Sequence, residues 1–273
     1  MNASTAGHRI IAADTAKPCI ALRNIGVRFE ARGNLVEAIA DVSMDVTDGQ
    51  FVALLGPTGC GKSTLLKVVS DLQPPSSGSV AVRGGSAAAA RRNNDFGFVF
   101  QEPALLPWRT ALDNVKLPLE VVGYPAHRRE ARCLELLRSV GLEKFVNAYP
   151  NELSGGMKQR VSIVRALSWN PSILLMDEPF SALDELTKNQ LQDDLLDIWE
   201  REKKTILFVT HNISEAVYLA DRVVIMSAHP GRIKTVIDVD LPRPRAPEIR
   251  ETLEFIANVR RAREALQAGR VTT

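Results

Sequence analysis

A glycine-rich segment that ends in a lysine and a serine is the part of this sequence best suited to chemistry. Gly56-Pro-Thr-Gly-Cys-Gly-Lys62-Ser63 fits the pattern G-x-x-x-x-G-K-[ST], and glycines in such a loop let backbone N–H groups turn inward around phosphates. Lys62 would reach the β- and γ-phosphates of ATP, and the Ser63 hydroxyl would bind Mg²⁺. The alternative is an accidental glycine-rich turn. The predicted nucleotide-binding residues of this loop are Gly56, Pro57, Thr58, Gly59, Cys60, Gly61, Lys62, Ser63 and Thr64.

A second segment, which ends in two acidic residues, supplies the carboxylates that such a loop needs for hydrolysis. Ser172-Ile-Leu-Leu-Met-Asp177-Glu178 reads as a buried strand that ends in two carboxylates. Asp177 would hold Mg²⁺, and Glu178 would act as the general base on the attacking water. The competing interpretation is a pair of acids at the end of a strand, and Lys62 makes it the weaker one.

A third element opens a predicted amphipathic helix. In Leu153-Ser-Gly-Gly-Met-Lys-Gln159 the residue Ser154 is suited to cap the helix N-terminus. Taken alone, this segment would be a capped helix with two glycines, Gly155 and Gly156. Its spacing to Asp177 favours a functional role over a purely structural one.

The elements that must position these residues follow from the hydrophobic pattern. Phe51 to Leu55 is a continuous apolar run that precedes the loop, which indicates a strand buried on both faces. Strand-like runs recur at Ile173 to Met176, Thr205 to Val209 and Val223 to Ile225, with helical segments between them. This alternation predicts an α/β fold with a parallel sheet.

Three other regions depart from that alternation. Ile20 to Phe29 and Glu37 to Val46 alternate around Arg32-Gly-Asn34 and predict antiparallel strands. Pro74 to Asn94, with its four-alanine run, is expected to form turns around a strand from Ser79 to Arg83. A helical block between about 102 and 170 predicts an inserted subdomain. Glu248 to Gln267 is expected to be one amphipathic helix.

Composition places the chain among ordinary folded proteins. Apolar residues make up 45% and charged residues 24%, and the net charge is +2. This balance gives no field that would attract nucleic acid or anionic lipid. Three scattered cysteines fit neither a disulfide framework nor a metal site and suit a reducing cytoplasm. No signal peptide or apolar run of spanning length is present, so membrane attachment would need a partner.

The motif set resembles that of ABC-transporter ATP-binding subunits. The residues that carry the resemblance follow in the family's order: Gly56–Thr64, Gln101, Leu153–Gln159, Ile173–Glu178, Ser181-Ala-Leu-Asp184 and His211. The resemblance covers about residues 19 to 240. It implies an ABC ATPase fold, in which a P-loop NTPase (RecA-like) core carries an antiparallel β-subdomain and an inserted α-helical subdomain. It divides the chain into a leader (1–18), an ATP-binding domain (19–241, helical part about 102–170) and a C-terminal helical extension (242–273).

The resemblance also implies that two copies of the chain face each other head to tail. Ser154 and Gly156 of one copy would then close over the γ-phosphate held by Lys62 of the other. The element Ser154, Gly155, Gly156 and Gln159 is thus implied to bind the nucleotide across the dimer, with Asp184 crossing the same seam.

Three further residues take roles from the resemblance alone. Gln101 would touch Mg²⁺ and the attacking water, and His211 would hydrogen-bond the γ-phosphate. Phe29 stands where the family stacks an aromatic ring on adenine, although core packing would also explain it.

The segments Glu102–Val115 and Met226–Arg232 resemble the importer branch that serves nitrate, sulfonate and taurine. That branch implies transmembrane permease subunits docked near Leu105, Leu106 and Trp108, a substrate-binding protein, and a peripheral location on the cytoplasmic face of the inner membrane. The apolar side chains could equally pack within the helical block. The alternatives are a soluble ABC ATPase acting on nucleic acid or ribosomes, and a P-loop kinase or GTPase, against which Leu153–Gln159 argues.

Overall fold

The computed structural model describes residues 17–31 and 34–268. The predicted leader therefore lies almost wholly outside the described residues, as do Arg32 and Gly33 of the predicted turn and the last five residues of the C-terminal extension. In chain order the strands are β1 (Ile20–Ala31), β2 (Asn34–Val46), β3 (Phe51–Leu55), β4 (Ser77–Val82), β5 (Gly85–Ser86), β6 (Phe96–Val99), β7 (Ile173–Asp177), β8 (Thr205–Thr210), β9 (Arg222–Met226) and β10 (Ile233–Asp238).

Eight α-helices lie between and after these strands in the described part of the chain. They are α1 (Lys62–Val69), α2 (Ala87–Arg92), α3 (Ala111–Val121), α4 (Ala126–Ser139), α5 (Gly155–Leu167), α6 (Glu185–Glu202), α7 (Ile213–Leu219) and α8 (Leu253–Gln267). Short 3-10 helices cover Glu143–Phe145, Pro150–Glu152 and Pro247–Glu251.

The strands form two sheets, as predicted. A four-stranded antiparallel sheet has the order β2-β1-β4-β5, and a six-stranded sheet has the order β10-β9-β3-β8-β7-β6. Strands β9, β3, β8, β7 and β6 run parallel, and only the pairing of β10 with β9 is antiparallel in the six-stranded sheet as described. The predicted α/β fold with an antiparallel sheet and a helical block is confirmed.

Strand β3 shows why the core lies on both faces of the parallel sheet. All five of its residues are buried. Phe51, Ala53 and Leu55 face the core that the helical block, α6, α7 and α8 cover, whereas Val52 and Leu54 face the core beneath α1 and the antiparallel sheet. A side-chain period of two distributes a continuous apolar run over both faces.

Two local predictions were wrong, and one strand was missed. The four-alanine run forms helix α2, where Ser86 Oγ accepts a hydrogen bond from Ala89 N (3.2 Å) as the N-cap. The predicted helix from Glu248 is divided at Thr252, whose hydroxyl caps α8 by accepting from Phe255 N (3.2 Å). A strand after Gly231, β10, was not predicted at all. Small polar residues compete for backbone hydrogen bonds, which is why serine and threonine mark these starts.

Within residues 17–31 and 34–268, no helix combines the length and the hydropathy that crossing a membrane requires.

Candidate functional site

Four of the predicted site segments lie at the carboxyl edge of the parallel sheet, where they follow β3, β6, β7 and β8. Leu55 pairs with Thr210, Asp177 with Val209, and Met176 with Val99. The segments that follow β3, β6, β7 and β8 therefore leave the sheet side by side. In an open α/β sheet, ligands bind at this edge.

The glycine-rich loop turns from β3 into α1 with a backbone that only glycine adopts easily. Gly59 has φ 79° and Gly61 has φ 92°, a left-handed region in which a side chain is strained. A Cβ on Gly61 would also lie 2.8 Å from Ile39 Cγ1. Gly61 is the N-cap of α1 and offers no side chain to its first turn. The N–H groups of that turn are thus free to bind an anion.

The Lys62 side chain is folded back into this loop. Its Nζ donates hydrogen bonds to Gly56 O (2.8 Å) and Pro57 O (3.0 Å), and the residue is 5% exposed. The nearby Cys60 is buried, and burial raises the pKa of its thiol. A thiol held protonated in this way is a poor nucleophile, so Cys60 serves the loop through its backbone.

Ser63 and Asp177 bring two oxygen ligands together. Ser63 Oγ donates a 2.8 Å hydrogen bond to Asp177 Oδ1. Burial raises the pKa of the Asp177 carboxyl, and the negative charge of Glu178 adds to that effect, while the bond from Ser63 opposes it. A cation placed here would relieve this cost of burying a carboxylate.

Glu178 stands next to His211 in a strained conformation. Its backbone has φ 44°, unusual for a residue with a Cβ, and its N–H donates to Val209 O (3.0 Å). Glu178 Oε2 lies 2.9 Å from His211 Nδ1. A backbone strain of about 1–3 kcal/mol is typical of functional positions. The two side chains line one pocket at the sheet edge, together with Glu215, Lys188 and Thr210.

Two further predicted residues, Gln101 and Phe29, are exposed at the surface. Gln101 follows β6 by two positions. Phe29 is 40% exposed on β1, opposite Val36. An exposed ring on a strand is available for stacking, whereas core packing would have buried it.

The Ser154 element lies at the start of α5. Ser154 Oγ caps this helix by accepting from Met157 N (3.3 Å), and Ser154 and Gly155 are exposed. Gly156 is buried, and a Cβ there would lie 2.4 Å from Thr187 Cγ2 on α6. Gln159 is only 2% exposed, and its Nε2 has no hydrogen-bond partner in the described structure. The structure therefore presents Ser154 and Gly155 at the surface and places Gln159 in the interior.

Asp184 is the N-cap of α6 and is exposed. Its Oδ1 accepts from Thr187 N (3.0 Å), and this backbone hydrogen bond lowers the pKa of Asp184. In the structure Asp184 thus acts as a helix cap.

Sequence reasoning missed a junction behind the loop. Gly231 N donates to Ala38 O (2.9 Å), Ala40 N donates to Gly231 O (3.0 Å), and a Cβ on Gly231 would lie 2.1 Å from Cys60 O. Only glycine fits where the β9–β10 turn, β2 and the loop meet. The signal was present in His229-Pro-Gly231, a turn sequence directly after a strand.

Comparison with known proteins identifies this arrangement. A family model described as ABC transporter matches residues 39–181. The taurine import ATP-binding protein TauB of Rhizobium johnstonii is 49% identical over 218 residues, covering 80% of this chain and 82% of the relative. The aliphatic sulfonates import ATP-binding protein SsuB of Bacillus cereus is 41% identical over 227 residues, with 83% and 88% covered.

A solved structure agrees with these relatives. The dimeric post-hydrolysis state of an ATP-binding cassette bound to ADP and Pi has a TM-score of 0.73 and 34% identity, covering 82% of this chain and 100% of that chain. A family model that matches half of the chain, together with relatives of this identity and coverage, is decisive. The chain belongs to the ABC transporter ATP-binding proteins.

Proposed function

We propose that this chain hydrolyses ATP to drive the import of a small anion of the nitrate, sulfonate or taurine type through a partner permease. ATPase activity is a property of the family to which the chain belongs, and the names of the taurine and sulfonate import relatives support the substrate class. The single observation that carries the catalytic part is the convergence of Ser63, Asp177, Glu178 and His211 at one sheet edge.

The residues at this edge fit Mg²⁺. Mg²⁺ prefers oxygen ligands and typically takes only one or two from the protein beside phosphate and water. Ser63 Oγ and Asp177 Oδ1, 2.8 Å apart, are such a pair, and Gln101 would approach from the end of β6. When bound, the ion would neutralise charge on the phosphate oxygens.

Each neighbouring residue has a role in the proposed reaction. Lys62 would exchange its bonds to Gly56 O and Pro57 O for phosphate oxygens. Glu178 would accept a proton from the attacking water, and His211, beside it, would hydrogen-bond the γ-phosphate. Phe29 would stack on adenine.

The dimer is the second part of the proposal. The dimeric cassette of similar structure supports an assembly of two copies, and the exposed Ser154, Gly155 and Asp184 are available to meet a second chain. The N-terminus of α5 would face the γ-phosphate held by the other copy, with Gly156 allowing the close approach. Gln159, which is buried, would support this helix start from within rather than touch the nucleotide directly.

The permease contact is proposed near Trp108. Its side chain is 70% exposed, whereas Leu105 packs partly against the core and Leu106 is half-buried. Tryptophan is among the residue types enriched at the energetic centres of protein interfaces. This surface would hold the chain at the cytoplasmic face of the inner membrane, and a substrate-binding protein would act through the permease. We propose no nucleic-acid partner.

One experiment tests both the catalytic and the dimer parts. We expect the purified chain to hydrolyse ATP only with Mg²⁺, and Glu178→Gln to lower kcat by about 10²-fold or more while ATP now accumulates a stable dimer on size-exclusion chromatography. Glu248→Gln, an exposed residue outside the site, is the matched control. Normal hydrolysis by Glu178→Gln would remove Glu178 from its role. For the transport part, recovery of the native protein free of membranes and of any permease after gentle lysis would contradict the proposal.

A further inference from the structure

A buried glutamate lies behind the Glu178–His211 pair and has no part in the reaction proposed above. Glu215, on α7, is 6% exposed and lines the same pocket as Glu178 and His211. Burial raises the pKa of its carboxyl. Burying an ionisable group costs free energy unless hydrogen bonds compensate, so the partners of Glu215 indicate what holds it.

Those partners connect the pocket with the C-terminal segment. Gln192 Nε2 on α6 donates to Glu215 Oε1 (3.1 Å), and Arg250 donates to Gln192 Oε1 (3.3 Å). Arg250 also donates to Asp193 Oδ1 (2.8 Å), and its guanidinium lies 3.5 Å from the ring centre of Tyr218. Arg250 is thus fixed from three sides, and its bond to Gln192 orients the amide towards Glu215.

The backbone N–H of Glu215 is also joined to the side chain of Asn212, the residue after His211. Glu215 N donates to Asn212 Oδ1 (3.1 Å), which caps α7, and Asn212 N donates to Thr210 Oγ1 (2.9 Å). His211 therefore lies between Thr210 and Asn212, which this second hydrogen bond joins at the start of α7. Its own side chain is 56% exposed, and Glu178 Oε2 is the hydrogen-bond partner of its Nδ1.

We propose that Glu215 is a positioning residue for His211 and Glu178, and that Arg250 holds Glu215 in place through Gln192. The C-terminal segment then acts on ATP hydrolysis without touching the nucleotide. This inference rests on the proposed function in so far as it concerns hydrolysis. The geometric link between Arg250 and His211 can be measured separately.

The test measures the geometry and the reaction side by side. Parent, Glu215→Leu, Glu215→Gln and Arg250→Met are labelled with ¹⁵N-histidine, and His211→Gln assigns the His211 signals. We expect Glu215→Leu and Arg250→Met to shift the ring signals of His211 and to leave those of His127, on α4, unchanged. Arg260→Met is the control, because Arg260 lies on α8 in an exposed ion pair with Glu264.

In the ATPase assay, we expect Glu215→Leu to lower kcat about tenfold, less than the roughly 10²-fold that a 1 Å misplacement can cost. Glu215→Gln keeps an acceptor for Gln192 Nε2 and should restore most of the loss. The KM for ATP should change less than about twofold, because none of these residues contacts the phosphate loop. Circular dichroism melts identify any variant that is not folded. If Glu215→Leu is not folded, the Arg250→Met variant tests the proposal instead.

Unchanged His211 signals in folded Arg250→Met and Glu215→Leu would overturn the proposal, as would an unchanged kcat in both. A parent protein that hydrolyses no ATP would instead overturn the proposed function, while the His211 signals would still decide whether Arg250 reaches the pocket.

Discussion

Ser63 and Asp177 are 114 positions apart in the sequence, yet the Ser63 hydroxyl donates a 2.8 Å hydrogen bond to the Asp177 carboxylate. The bond joins the first turn of α1 to the end of β7. Two oxygen atoms are thereby held at the spacing at which a cation could bind both.

The stability of the ligand-free protein should depend on Asp177. Because the pKa of this carboxyl is raised in the folded protein, folding binds a proton that the unfolded chain releases, and the free energy of unfolding decreases as pH rises above the ordinary aspartate range. Asp177→Asn mimics the protonated side chain. We expect its melting temperature at pH 7 to exceed that of the parent by about 2 °C, measured calorimetrically without nucleotide or Mg²⁺.

The same difference should shrink as pH falls through the ordinary aspartate range and vanish below about pH 3, where aspartate is protonated in both states. Asp240→Asn, an exposed position, is the control and should change neither melting temperature. A lower melting temperature for Asp177→Asn at pH 7 would show that the carboxylate stabilises the ligand-free fold, contrary to this prediction.

Lys62→Met should lower nucleotide affinity while the fold remains. Hydrogen bonds to a charged group contribute about 1.5–3 kcal/mol, which corresponds to a loss in ADP affinity of about 10- to 100-fold. Isothermal titration calorimetry with ADP and Mg²⁺ measures it. Lys67→Met, on the same helix and exposed, should bind ADP nearly as the parent does. Equal affinities for the parent and Lys62→Met would contradict the phosphate contact.

Gly156→Ala should destabilise the protein through packing. An alanine Cβ would lie 2.4 Å from Thr187 Cγ2, and overpacking of this kind costs about 1–3 kcal/mol. That cost exceeds the gain of about 1 kcal/mol in helix propensity. Urea denaturation of Gly156→Ala should show the loss, and adding Thr187→Ser, which removes the methyl group, should recover most of it. A double variant as unstable as Gly156→Ala would place the conflict elsewhere.

Trp108→Ala should separate permease binding from catalysis. Its ring is 70% exposed, so truncation costs the isolated subunit little stability, and its basal ATPase activity should stay within about twofold of the parent. Co-purification with the permease from detergent-solubilised membranes should fall several-fold. Leu253→Ala, 80% exposed at the start of α8, is the control. Equal recovery of permease with Trp108→Ala and with the parent would move the contact away from this residue.

The sequence was most informative where one residue type satisfies one physical demand. Phe51 to Leu55 predicted a strand buried on both faces, and the glycines after it predicted the loop, because few other structures use those residues in that order. The four-alanine run carries no periodicity, so helix α2 depended on Ser86 and was missed. Burial of Gln159 and the contact between Gly231 and Cys60 arise from tertiary packing, which spacing along the chain does not encode.

Some contacts of the candidate site could be predicted from the sequence, whereas others depend on tertiary packing. The Ser63–Asp177 and Glu178–His211 contacts could be expected in kind, because parallel strands bring their carboxyl ends to one edge. The link from Arg250 through Gln192 to Glu215 could not, since it joins two helices and a C-terminal segment through side chains alone. From the sequence alone, an arginine or a glutamine is expected at the surface. Their hydrogen-bond partners become visible only in the folded structure.

Gly231 joins the two parts of the chain that are proposed to hold the two ends of the nucleotide. Ala38 and Ala40 belong to β2, which pairs with the strand that carries Phe29, while Cys60 belongs to the phosphate loop, and Gly231 touches both. Strand β2, the neighbour of the strand that carries Phe29, and the phosphate loop therefore meet at one glycine. If Phe29 holds the base and Lys62 the phosphates, this junction would set the distance between the two contacts. A nucleotide would then have to span that distance within one chain before a second chain closes on it.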